Sequence, residues 1–193
     1  MLALSTGSWI AIAVGIVVAL WVAGAYNGLV RLKHICKEAW AQIDVQLKRR
    51  HDLIPNLVET AKGYMTHERE TLEKVIQARN AASAAASDPG QGAAAMSLTE
   101  GALSGMLRQL MVVVERYPDL KANENMLKVQ EELASTENCI SFARQHYNDA
   151  VRRYNTKLEQ IPTNMVKNLG DFPPQELFEL DDPVEREAPK VQF

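Results

Sequence analysis

The first part of the chain is apolar without interruption, unlike everything that follows it. Residues 9–26 read WIAIAVGIVVALWVAGAY, and the first thirty residues contain no charged side chain. At ~1.5 Å per residue this segment spans about 27 Å as a helix, close to the ~30 Å hydrocarbon core of a bilayer. Trp9 and Tyr26 bracket it, as interfacial aromatic residues often do. The pattern predicts a transmembrane helix at 9–26 after a short extracytoplasmic N-terminus at 1–8.

Basic residues follow this segment but do not precede it. Arg31, Lys33 and Lys37 lie just beyond it, so the positive-inside rule places the N-terminus outside and the rest in the cytoplasm. The alternative is a cleaved signal peptide, because Ala23-Gly24-Ala25 matches an A-x-A cleavage pattern. The N-terminal flank lacks the basic residues of a signal peptide, so we expect the segment to be retained.

Small residues recur every four positions along the predicted membrane helix. Such a stripe lets transmembrane backbones approach closely and self-associate, although alanine and glycine are also common in these segments by chance. We take both explanations as open. The stripe consists of Ala11, Gly15, Ala19 and Ala23.

Beyond the anchor, apolar residues recur at steps of three and four, which is typical of amphipathic helices. Three such stretches cover 27–86, 93–116 and 121–160. Pro55 lacks a backbone donor and clashes with the preceding turn, so we expect a kink near residues 51–54, and Gly63 is a weaker break point. A break at either position would let the first stretch supply two of four bundle helices. The pattern predicts an all-α protein, with an elongated antiparallel bundle of three to four helices over residues 27–170.

The C-terminal segment differs in composition from the bundle. Residues 171–193 hold seven acidic residues, two basic residues and four prolines, which predicts an extended or disordered tail. Within it, residues 175–180 could dock through Leu177 and Phe178.

Charge and cysteine content narrow the classes of function. The net charge of -3 gives no electrostatic support for nucleic-acid binding. Cys36 and Cys139 form no CxxC motif, so in a reducing cytoplasm they should be free thiols, each most simply a buried apolar residue.

No catalytic or metal-binding motif is found in the sequence. Di-metal sites in helical bundles use Glu-x-x-His pairs, but none of the four histidines has an acidic residue three positions before it. His67-Glu68 begins like a zinc protease motif and lacks the second histidine. We therefore expect no enzyme activity, no cofactor and no metal.

Several polar residues lie on or beside the apolar stripes. Polar residues at such positions can fix the register between helices, and they can alternatively contact another subunit. The residues are Arg50, Asp52, Asn56, Asn123, Asn138, Arg144, Asn148 and Asn155.

Long stretches of the sequence resemble the LemA family of bacterial membrane proteins. They are AWAQIDVQLKRRHDLIPNLV at 39–58, YPDLKAN at 117–123, and TENCISFARQHYNDAV at 136–151, which leads to a further Tyr-Asn pair. The resemblance implies a single-pass anchor in the inner membrane, an outside N-terminus and a cytoplasmic antiparallel helical bundle. It implies no catalytic residues.

Two functions follow as hypotheses. The first is a non-enzymatic scaffold that self-assembles at the lipid bilayer, as a homo-oligomer with coiled-coil-like helix packing. The second is an adaptor that uses its acidic tail to recruit or regulate a membrane enzyme, such as a quality-control protease. An enzyme would need a site assembled across subunits.

Overall fold

The structure, a computed structural model, describes residues 6–88 and 92–178. All its regular elements are helical, which confirms the predicted all-α fold. In chain order they are α1 (Thr6–Lys62), α2 (Arg69–Ser87), α3 (Ala93–Val114), α4 (Pro118–Lys121), α5 (Glu124–Glu159) and α6 (Thr163–Val166), followed by a 3-10 turn (Lys167–Leu169).

Helix α1 is a single helix of 57 residues that contains both the apolar segment and the first helix of the bundle. Pro55 lies inside it, and the helix ends at Lys62, directly before Gly63. The backbone turns there because the amides of Tyr64 and Met65 both donate to Ala61 O, at 3.0 and 2.9 Å. Of the two predicted break points, the helix therefore ends at the glycine.

The apolar part of α1 is long enough to cross a membrane. Its most apolar stretch has a mean hydropathy of 2.2, and none of that stretch is buried against the rest of the described chain. Large side chains such as Ile10 and Leu20 are 65% and 69% exposed. Apolar surface of this extent is what a lipid-facing helix presents.

The described residues fall into two compact units, whose boundaries lie inside α1 and α5. Residues 6–39 and 149–175 form the first unit, and residues 40–148 and 176–178 form the second. In the first unit, Leu29, Val151 and Tyr154 are fully buried.

The segment after α6 packs back onto α1 in this first unit. The ring of Phe172 meets Tyr26 edge-on at 5.3 Å between centroids. Lys33 Nζ donates to Asp171 O at 2.6 Å. Residues 171–172 of the predicted tail are thus part of a folded unit.

The second unit is an antiparallel four-helix arrangement built from α1, α2, α3 and α5. Its core consists of apolar residues at steps of three and four, which share one helix face as the sequence pattern predicts. Leu98 and Ala102, which fit the same pattern on α3, are instead exposed. Gln130 of α5 contacts Met111 Sδ of α3 at 3.6 Å, while Glu137 lies near Ser104, so α3 and α5 run in opposite directions. Fully buried members of the core include Ile54, Leu57, Val75, Leu103, Leu110 and Met126.

Candidate functional site: a buried charge cluster beside a groove

Charged side chains from three helices meet inside the second unit. Helix α1 provides Arg50 and His51, α3 provides Glu100, and α5 provides Glu137. Arg50 and Glu100 are 1% and 0% exposed, and His51 is 4% exposed. Glu100 takes a position on the apolar stripe of α3, three residues before buried Leu103, so the helix turns its carboxylate into the core.

The cluster is closely hydrogen-bonded. Glu100 accepts from Arg50 Nη2 through Oε2, and its Oε1 lies 2.8 Å from His51 Nε2. Arg50 Nη1 donates to Glu137 Oε2 at 2.6 Å and to Ser104 Oγ at 3.0 Å. Each oxygen of Glu100 therefore has a nitrogen partner, and Arg50 ties α1 to both α3 and α5.

The surroundings keep Glu100 ionised. Burial alone would raise the pKa of Glu100, but the hydrogen bond from His51 and the charge of Arg50 outweigh burial and lower the pKa below its ordinary value. A carboxylate whose oxygens are occupied by donors and whose pKa is lowered is a weak general base at neutral pH. The arrangement is suited to fixing the register of three helices.

A groove of about 1040 Å³ runs beside the cluster, between α3 and α5. Arg50, Ser104 and Glu137 form its polar part, while Leu98 and Val112 of α3 belong to its apolar part. The Nε atom of Arg50 is buried and has no hydrogen-bond partner among the described residues. Apart from these polar groups, the lining of the groove is mainly apolar, and the groove is open along α3.

A Tyr-Asn pair on α5 holds the C-terminal segment in the second unit. Tyr147 donates to Glu176 O at 2.9 Å. The side-chain amide of Asn148 donates to Phe178 O at 3.1 Å and accepts from the Phe178 amide at 2.8 Å. Phe178 is 2% exposed, and the guanidinium of Arg144 stacks 5.0 Å from its ring centroid.

A second Tyr-Asn pair, seven residues later, acts in the same way in the first unit. Tyr154 donates to Pro173 O at 3.1 Å. Asn155 donates to Gln175 O at 2.8 Å and accepts from the Gln175 amide at 3.0 Å. A side-chain amide that pairs with both the N–H and the C=O of one residue recognises the backbone of that residue and not its side chain.

The structure thus assigns different positions to the polar residues singled out in the sequence. Arg50 joins the charge cluster, while Arg144, Asn148 and Asn155 contact the C-terminal segment. Asn123 caps α5, since its Oδ1 accepts from the amides of Asn125 and Met126 at 2.9 and 3.1 Å. Exposed positions away from these contacts are occupied by Asp52, Asn56 and Asn138.

The small-residue stripe of the apolar segment is uncovered. Ala11, Gly15, Ala19 and Ala23 are all exposed. A Cβ atom added at Gly15 would meet nothing within 4 Å among the described residues. The stripe is therefore open to contact from outside this part of the chain.

The two cysteines are free and differ in environment. Cys36 is buried, and burial raises the pKa of its thiol, whereas Cys139 is exposed. Within residues 6–88 and 92–178, no three His, Cys, Asp or Glu side chains are grouped so that they could hold a metal ion.

Sequence reasoning missed Glu100 and Glu137 as partners of Arg50, and His51 as the second partner of Glu100. It also missed Tyr147 and Tyr154, which hold the same C-terminal segment as Asn148 and Asn155. One signal was present for Glu100, which is the only acidic residue in α3. An acidic residue on an apolar stripe predicts a buried partner, but periodicity alone does not identify that partner.

The structure combines a helical bundle with an N-terminal apolar helix that is long enough to cross a bilayer. These features suggest a membrane protein, a helical bundle with a candidate N-terminal anchor. The LemA family model matches residues 39–193. The chain belongs to the LemA family, as its sequence predicted.

Individual relatives share between 22% and 28% sequence identity with this chain. Protein LemA of Metamycoplasma hominis is 28% identical over 152 residues, which cover 77% of this chain and 66% of that protein. Magnetosome protein MamQ 2 of Paramagnetospirillum magneticum is 23% identical over 176 residues, covering 80% and 64%. Magnetosome protein MamQ of Magnetospirillum gryphiswaldense is 22% identical over 174 residues, covering 79% and 64%. The chain spans just under two thirds of the length of these relatives.

Proposed function

We propose that this protein is a non-enzymatic scaffold that self-assembles in the bacterial inner membrane, with its N-terminus outside and its helical bundle in the cytoplasm. The observation that carries the proposal is α1, which joins the exposed apolar segment to the bundle as one helix of 57 residues. Because no loop separates them, association of the anchors within the bilayer also brings the bundles together. Tethering of this kind raises the effective concentration of the bundles for one another.

The proposed orientation follows from charge. Arg31, Lys33 and Lys37 flank the apolar segment on one side only. Labelling single cysteines introduced at Ser8 and Ser135, in a Cys139→Ser background, with a membrane-impermeant maleimide tests it. We expect labelling of intact spheroplasts at the first position only, and the opposite labelling pattern would refute the orientation.

Self-assembly is tested by the mass of the full-length protein extracted in native-like membrane particles. We expect a discrete particle that contains several chains, and a uniform single-chain particle at high concentration would refute the proposal. Gly15→Leu, on the small-residue stripe, tests whether the anchor contributes to assembly. Ala13→Leu is its matched control, because Ala13 is equally exposed and lies off the stripe.

We also propose an adaptor function as the second candidate, favoured by the acidic composition of the C-terminal end. Asn148 holds Phe178 on the bundle, and residues 179–193, which follow in the sequence, contain five acidic and two basic residues. Truncation after Phe178 should abolish recovery of a membrane-enzyme partner in pulldowns while leaving the bundle intact. Unchanged recovery would argue against the adaptor.

A further inference from the structure

Helix α3 has an outward face that is unusually poor in charge for a surface helix. Glu100 and Arg108 are its only charged residues, and Glu100 is fully buried. Leu98 and Val112 are 64% and 69% exposed. A helix that is apolar nearly all round is normally covered on all sides, so this face calls for a covering partner.

The middle of the same face is open and flat. A Cβ atom added at Gly105 would meet nothing within 4 Å among the described residues, so packing within that part of the chain does not require glycine there. Glycine inside a helix is destabilising relative to alanine. Gly101 and Gly105 border the groove of about 1040 Å³, where small residues let a second helix backbone come close.

The face is complementary to itself in antiparallel orientation. Gly105 lies midway between Leu98 and Val112, seven positions from each. A two-fold axis at Gly105 therefore sets Leu98 of one copy beside Val112 of the other, with the two glycines at the crossing point. Such an arrangement is an isologous contact, in which both copies use the same patch.

Charge agrees with this pairing. The two-fold axis brings Arg108 of one copy to the level of Ala102 in the other. Glu137, whose side chain is 48% exposed, lies near that level because Arg50 bridges it to Ser104. Unlike charges thus approach each other, and the axis sets no like-charged residues of α3 opposite one another.

We infer that two copies of this chain pair through α3, antiparallel and two-fold about Gly105, each laying its α3 along the groove of the other. This inference rests on the proposed self-assembly and names its surface in the bundle. A bilayer is a poorer occupant for the same face, because helices that lie on membranes carry many Lys and Arg residues and α3 has one arginine.

The test is cysteine cross-linking of full-length protein in isolated membranes, in a Cys139→Ser background. Two differently tagged versions, Leu98→Cys and Val112→Cys, are co-expressed and treated with a short bismaleimide. We expect a mixed cross-linked dimer when both versions are present, and no cross-linked dimer when either version is expressed alone. Two copies of position 98 would lie about 21 Å apart along the helices, at ~1.5 Å per residue.

Gly105→Leu added to both versions should abolish the mixed product, because its side chain fills the crossing point. A Cβ atom at this position meets nothing within 4 Å in the described part of its own chain. Phe142→Ser is the control, since Phe142 is 71% exposed on α5 and does not line this groove. Efficient linking of position 98 to itself would overturn the antiparallel register.

Particle mass measured on the same samples separates the two proposals. A multi-chain particle without the mixed product would overturn pairing through α3 and leave the scaffold proposal standing. A single-chain particle would overturn both. A multi-chain particle with the mixed product, lost on Gly105→Leu and kept on Phe142→Ser, supports both.

Discussion

Replacing Glu100 by glutamine should destabilise the bundle strongly, because it leaves a buried cation without its main counter-charge. Arg50 and Glu100 have side chains 1% and 0% exposed, and the remaining partner of Arg50, Glu137, is 48% exposed. Removing one member of a buried ion pair costs about 3–5 kcal/mol. At ~2–4 °C per kcal/mol for a protein of this size, the midpoint of thermal unfolding should fall by about 6–20 °C.

The assay is thermal unfolding of full-length protein in mild detergent, followed by far-UV circular dichroism. Glu70→Gln is the matched control, since Glu70 forms a helix-surface pair with Lys74 at 2.7 Å and its side chain is 82% exposed. We expect no measurable change for this control, because exposed pairs contribute little. A Glu100→Gln midpoint equal to that of Glu70→Gln would refute the stabilising role of the cluster.

A double-mutant cycle sharpens the result. Arg50→Met alone leaves Glu100 buried and short of one partner, so both single variants are destabilised. The double variant Arg50→Met/Glu100→Gln should lose less stability than the sum of the two single losses, because neither charge is then left uncompensated. Simple additivity would show that the two side chains do not interact as the structure places them.

Three further predictions concern pH, the C-terminal segment and the start of α5. Because the folded-state pKa of Glu100 is lowered from its ordinary value of 4.5, its contribution to stability is fully present above that value and is lost as pH falls through the lowered pKa. The difference in free energy of unfolding between wild type and Glu100→Gln should therefore shrink below about pH 4.5. A difference that stays constant until Glu100 is fully protonated would contradict this. Asn148→Ala removes both hydrogen bonds to the backbone of Phe178, so the free energy of unfolding in urea should fall by about 1–3 kcal/mol, and limited proteolysis after residue 170 should be faster. The control is Asn138→Ala at an exposed position, and equal proteolysis rates for the two variants would count against the contact. Asn123→Ala removes the cap of α5 and should lower the free energy of unfolding by about 1 kcal/mol. The control Asn125→Ala, in the first turn of α5, keeps the cap and should not lower it. Equal losses of stability in the two variants would exclude capping as the cause.

The extent of the fold that could be predicted from sequence is clearest in α1 and α5. Their apolar residues recur at helical spacing, and this local pattern placed α5 within a few residues of its observed ends. For α1 it predicted helix on both sides of residue 26, which the structure joins into one helix. It left the end of the first bundle helix open between Pro55 and Gly63. Pro55 lies in the last two turns of this long helix and costs one hydrogen bond, which burial of Ile54 and Leu57 offsets, and the helix ends directly before Gly63.

The candidate site was harder to predict because its partners are far apart in sequence. Arg50 was singled out from its position beside an apolar stripe, but Glu100 lies 50 residues away and Glu137 lies 87 residues away. Helical periodicity gives the face on which a residue lies and not the helix that the face meets. Asn148 and Asn155 were likewise singled out as polar contacts, yet their partners are backbone groups, which leave no mark in a side-chain pattern.

The sequence by itself determined the helical class, the candidate membrane segment at 9–26 and the LemA family, because these depend on composition, local periodicity and long matching stretches. The tertiary structure alone decided that Arg50, His51 and Glu100 meet, and that residues 173–178 are held by the two Tyr-Asn pairs. It alone also decided that Leu98 and Val112 of α3 stay exposed in the described part of the chain. The physical reason is that helix formation is local, whereas the rotation and pairing of helices depend on how all their faces pack at once.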